Sequence, residues 1–249
     1  MRSLLCAACS RSLLEGAAGR YAGAMRILFA ALRVAVAGAI VAAIVGQLIT
    51  SLSYWDQKGG VDVATHLVHF FSFFTIDSNI LSVVVLLIGA YFLLFRKGDD
   101  PQWYNLFRAT VVTYMVTTGI VYNLLLRGVE LPQGSTLAWS NEVLHVIACA
   151  YLLIDWLLAP GRTPIANNQL WKILVFPLAW TIYTLVRGPL VADTVYGNPF
   201  WYPYPFLNPA TATNGYFTVA FFVLLITVVI GAAAAGVLWI SRRKRLLKG

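Results

Sequence analysis

Six apolar stretches divide the chain, each long enough for a helix to cross a bilayer and each closed by polar or helix-breaking residues. Read from that pattern they cover about residues 28–51, 67–95, 107–126, 138–159, 170–187 and 216–240. The separators are Asp56, Lys58 and Asp62, then Arg96 to Pro101, then Glu130 and Pro132, then Ala159-Pro160-Gly161, and a long connection from Gly188 to Gly215. The pattern predicts an all-α polytopic membrane protein with six transmembrane helices in one bundle over residues 25–249. Residues 1–24 read as an N-terminal extension without folded structure, because Met25-Arg26 stands directly before the first apolar run as a second start of translation. Gly38, Ala42 and Gly46 recur at four-residue spacing and suit close helix packing. Pro177 predicts a kink in the fifth span.

Two interruptions of the apolar pattern stand out. The stretch from Phe70 to Asn79 carries Thr75, Asp77, Ser78 and Asn79 inside an apolar run, where lipid offers such groups no partner. On a helix Thr75, Ser78, Asn79 and Ser82 form one polar stripe. The other is Asn141, Glu142 and His145 at the start of the fourth span. Helical rise puts both groups about 10–15 Å below the outer surface, so the stripes meet at one level. Asn123, at the outer end of the third span, is within reach of them, whereas Asp155 is too deep on the other side.

A hydroxyl beside an imidazole is the arrangement of nucleophilic catalysis, with histidine taking the proton as threonine attacks a carbonyl. Glu142 is the candidate to orient the ring, and Asp77 takes part only if the second span is broken near it. Ser78, Asn79 and Asn141 are candidate donors to a developing oxyanion. Two other readings remain open on the same residues. His66, His69 and His145, with Asp77 or Glu142, supply the ligands of a metal-dependent lipid hydrolase. Alternatively, the polar side chains bond back to their own helices or glue neighbours together in a non-catalytic protein that binds or moves a small lipid.

Composition narrows these choices. The chain is 59% hydrophobic and 11% charged, which excludes an ordinary soluble domain. The net charge of +8 comes from residues beside the ends of the apolar runs, so it marks topology and no nucleic-acid partner is expected. Arg2, Arg11, Arg20, Arg26, Arg96, Lys97, Arg108, Arg162, Lys172 and the C-terminal basic cluster fall on one side, and Lys58, Arg127 and Arg187 on the other. Both termini are therefore expected in the cytoplasm, with the protein integral to a bacterial plasma membrane. Cys6, Cys9 and Cys149 make no disulfide framework. No GxSxG, HExxH, Walker or GxGxxG motif is present, and no internal repeat marks a two-half transporter. No cofactor is expected.

The connection after the fifth span contains Phe200-Trp201-Tyr202-Pro203-Tyr204-Pro205-Phe206, read either as an interfacial aromatic belt or as a cap over a site opening outward. With six spans, Phe-Thr-Ile-Asp-Ser-Asn at residues 74–79, Asn-x-x-x-His at residues 141–145 and the Tyr-Pro-Tyr-Pro-Phe-Leu loop at residues 202–207, the chain resembles the androgen-induced protein family over about residues 25–240. The loop at residues 202–207 looks similar to that of the family's shorter bacterial branch. The resemblance implies an intramembrane hydrolase of fatty acid esters of hydroxy fatty acids, with Thr75 as nucleophile and His145 as the essential histidine.

Overall fold

A computed structural model describes the backbone of residues 2–59, 62–129 and 135–243, with side chains of residues 21, 23–59, 62–129 and 135–243. The segment around Glu130 and Pro132 and the basic residues beyond position 243 lie outside the described residues. Among the described residues the regular structure is all helical, and six helices are long and apolar enough to cross a membrane. In chain order these are α1 (Arg2–Lys58), α3 (Phe74–Phe95), α4 (Gln102–Val121), which continues as a π-helical turn over Tyr122–Leu126, α5 (Ala138–Glu142), joined through a π turn at Val143–Ile147 to α6 (Ala148–Leu158), α7 (Leu170–Arg187) and α8 (Tyr216–Ser241). A short helix, α2 (Val63–Phe70), precedes α3.

Two boundaries differ from the sequence reading. The α1 helix begins at Arg2, where an unfolded extension was expected, because this Ala-, Leu- and Arg-rich stretch holds no proline to stop a helix running back from the first span. The second span is split. Asp62 caps α2: its carboxyl accepts from the Thr65 hydroxyl at 2.6 Å and from the Thr65 and Ala64 amides, and these bonds hold it below the usual range. After Phe70 the chain turns, the Ser72 hydroxyl takes the Val68 carbonyl, and α3 starts afresh at Phe74. Thr75 therefore sits in the first turn of a helix and not ten residues inside one.

The α4 helix is the centre of the bundle and touches α3, α6, α7 and α8, while α1 lies along α3 and reaches α5 and α6. The buried face of α1 is Arg33, Ala37, Ile40, Ala43, Gln47 and Ser51. The stripe of small residues lies off that face: Ala42 is exposed, Gly38 has open space beside it, and only Gly46 packs, against Trp139 and Leu137. Helix α7 runs unbroken through Pro177, which has no N–H for the Ile173 carbonyl. The Tyr114 hydroxyl of α4 donates to that carbonyl at 2.7 Å and supplies the missing bond.

At the end of the bundle away from α2, three spans are tied by buried charge. Arg33 of α1 donates to both Asp155 carboxylate oxygens at 2.9 and 3.0 Å, and Arg108 of α4 donates to Asp155 Oδ2 at 2.7 Å and pairs with Asp100. All four side chains are buried. Arg108 is thus no topology signal at a loop. It is one cation of an interior network whose other arginine, Arg33, sits inside the first apolar run.

Candidate active site

At the α2 end, the chain from Gly188 to Gly215 folds back over the bundle. Trp201, Tyr202, Tyr204 and Leu207 are each at most 6% exposed, so the aromatic loop is a cap packed into protein. Gly188 makes this possible, because Tyr202 lies where a Cβ would stand, and the Trp201 amide donates to the Gly188 carbonyl at 3.0 Å. Phe73 then packs edge-on against both Trp201 and Tyr204.

Beneath this cap Thr75 Oγ1 lies 3.2 Å from His145 Nε2. The other ring nitrogen, Nδ1, lies 2.9 Å from the Asn141 carbonyl oxygen. A carbonyl only accepts, so Nδ1 carries the proton and Nε2 presents a lone pair to the Thr75 hydroxyl. Histidine stands in the π turn at Val143–Ile147, and such wider turns recur at functional sites because they disturb the regular carbonyl ladder. A second π turn carries Tyr122, which stacks on the imidazole at 4.1 Å between centroids. The Tyr122 hydroxyl accepts from Asn141 Nδ2 at 2.6 Å, so one residue holds the ring by its main chain and braces the stacking partner by its side chain.

Tyr204 completes the group. Its hydroxyl is 3.3 Å from Thr75 Oγ1 and 3.4 Å from the Thr75 amide, over the first turn of α3, where N–H groups lack helical acceptors. Burial pushes the phenol up to about 12, so it is a neutral donor. The aromatic loop was singled out in the sequence, but nothing there told which of its rings would reach the threonine. Tyr122 had no signal at all, since its position depends on a π turn.

The remaining sequence candidates fall elsewhere. Asn79 donates to the Thr75 carbonyl at 2.9 Å and the Leu144 carbonyl at 3.1 Å, so its amide hydrogens link α3 to the histidine turn and are not aimed at a reacting oxygen. Ser78 donates to the Phe74 carbonyl and Ser82 to that of Ser78, which is the bonding-back expected of membrane hydroxyls. Glu142 does not bond the ring, whose Nδ1 is taken by the Asn141 carbonyl; it forms an exposed ion pair with Arg127 at 2.8 Å, and Asn123 accepts from the same arginine. Asp77 is half-buried and has no hydrogen bond to Thr75 or His145.

His66 and His69 belong to the cap. His66 shares a hydrogen bond with Thr194 at 2.8 Å, and His69 stacks flat on Trp201 at 4.2 Å. Burial and the nearby Arg187 cation push His69 down to about 3. Among the described residues no three His, Cys, Asp or Glu side chains come together as a metal site, and His145 faces Thr75 instead of the other two histidines.

Thr75 and His145 form a wall between two cavities. The larger, of about 110 Å³, lies among α4, α7, α8 and the cap and is lined chiefly by apolar side chains. The smaller, of about 30 Å³, lies on the α1 and α5 side, lined in part by Gln47, Ser140 and Asn141. That volume and polarity suit a water molecule.

Compared with known proteins, the chain matches no family model, no curated protein and no solved structure.

Proposed function

We propose that the protein is an intramembrane hydrolase of lipid esters that uses Thr75 as nucleophile and His145 as general base. The observation that carries this reading is the relay from Thr75 Oγ1 to His145 Nε2 at 3.2 Å and from Nδ1 to the Asn141 carbonyl at 2.9 Å, which presents an unprotonated nitrogen to a buried hydroxyl. In the first step Thr75 Oγ1 attacks the ester carbonyl carbon and its proton passes to His145. Negative charge gathers on the carbonyl oxygen, where the Tyr204 hydroxyl and the Thr75 amide are the donors at hand, at the positive end of α3. The carbon–oxygen bond to the alcohol breaks, His145 returns the proton to that alcohol, and an acyl-threonine remains. Water from the small cavity gives its proton to His145 and adds to the acyl carbon. The Thr75 oxygen then leaves, recovers the proton and releases the fatty acid.

The apolar larger cavity supports a lipid as the substrate. Resemblance to the androgen-induced protein family points to esters of hydroxy fatty acids. Placing both termini in the cytoplasm by the positive-inside rule opens the site toward the outer half of a bacterial plasma membrane.

The test compares wild type with Thr75→Ala and His145→Ala in detergent, using a fluorophosphonate probe and a panel of lipid esters. Labelling at Thr75 and turnover in wild type, both lost in folded variants, are the expected result. Folded wild type without labelling or turnover removes the hydrolase reading and leaves a lipid-binding protein.

A further inference from the structure

The large cavity has a direction, a closed end and one thin wall. Thr75, His145 and Tyr204 stand at one end. From there the lining runs along α8 from Val223 to Ile230 and along α7 from Thr181 back to Leu174, about seven helical steps in each case, or about 10 Å of helix. Beyond Leu174 and Ile230 the interior is filled. Ile173 and Ala234 are fully buried, and the Tyr114 hydroxyl bonds the Ile173 carbonyl across the gap between α4 and α7.

The walls offer an occupant little to bond with. Thr117 donates to the Thr113 carbonyl, Thr181 to that of Pro177 and Thr227 to that of Val223, so these lining hydroxyls are taken up by their own helices. Among the described residues no charged side chain lines the cavity. On the α7–α8 side two lining residues, Leu178 and Thr227, also face outward, and Leu178 is 52% exposed. These are the least enclosed spans: 17% of the apolar window of α7 and 22% of that of α8 are buried, against 56% for α4.

We infer that this cavity is a length-selective seat for one unbranched acyl chain, entered from the bilayer through the seam between α7 and α8 and floored by Leu174 and Ile230. The proposal rests on the hydrolase reading only for placing the ester group beside Thr75. The seat itself follows from the lining. A chain entering the seam exchanges lipid for an equally apolar wall, so selection comes from fit at the closed end and not from polar bonds.

The test reads binding apart from turnover. Thr75→Ala protein in nanodiscs is loaded with a fluorescent fatty acid, which is displaced by saturated fatty acids of graded length. The experiment is repeated with Ile230→Ala and Ile230→Phe added. A sharp preferred length is expected, moved longer by roughly two or three carbons in Ile230→Ala, the volume that change removes, and shorter in Ile230→Phe. Leu178→Trp, at the seam, should slow loading severalfold and leave the preferred length unchanged. Displacement independent of chain length, or the same optimum in all Ile230 variants, overturns the seat. Length-selective binding in a wild type that hydrolyses no ester keeps the seat and removes the hydrolase, so the two failures are distinct.

Discussion

Thr75 and His145, seventy residues apart in the chain, meet at 3.2 Å, and the ring is aimed by the main-chain carbonyl of Asn141 instead of a carboxylate. A backbone acceptor fixes the tautomer as a carboxylate would, without adding a second charge to the interior. On the proposed function, this geometry separates the residues that would carry the reaction from those that only look catalytic in sequence.

Glu142→Gln should keep ester turnover within about threefold of wild type, since the carboxylate pairs with Arg127 at the surface. His145→Gln should lose it by about a thousandfold or more. Steady-state hydrolysis by the two variants checks the contrast, and a large loss in Glu142→Gln would return the carboxylate to the relay.

Tyr204→Phe removes one hydroxyl and leaves the ring that packs on Phe73 and Phe206. Turnover should fall by about a hundredfold with little change in KM, as for an oxyanion donor. An unchanged kcat would assign the phenol to packing alone.

At the other end of the bundle, Asp155→Asn leaves Arg33 and Arg108 buried without their shared counter-charge. Loss of one partner from such a network costs about 3–5 kcal/mol, so detergent-solubilised protein should unfold at markedly lower temperature. Gly89→Ala should act in the same direction, because its methyl would meet the Tyr104 hydroxyl and Arg33 Nη1. Thermal unfolding of both variants tests this, and wild-type stability in Asp155→Asn would contradict it.

The cap has its own pH dependence. His69 is held neutral down to about pH 3, whereas an unfolded histidine takes a proton near 6.5, and the His66 ring is shifted in the same direction by burial. The unfolded chain therefore binds more protons between about pH 6.5 and 3, so stability is full above 6.5 and falls as pH drops through that window. His69→Phe, which retains the stack on Trp201, should flatten the fall in melting temperature between pH 7.5 and 5. An equal slope in wild type and variant would place the titration elsewhere.

Periodicity alone identified six apolar helices, and the polar stripe of α3 with Asn141 and His145 of the fourth span marked the two faces that meet. Those signals are local: length, hydropathy and the spacing of side chains on one helix determine them. The partner of each polar group is not local. Glu142 lies one turn from His145 yet turns to Arg127, because an exposed guanidinium satisfies a carboxylate without burying it. The break before α3, the π turns under Tyr122 and His145, and the descent of Tyr204 onto Thr75 arise from side chains competing for backbone groups and from rings packing across the cap. Arg33 and Asp155 show the same limit. A charge within an apolar run announces that it needs a partner, and only the packing of α1 against α6 decides which.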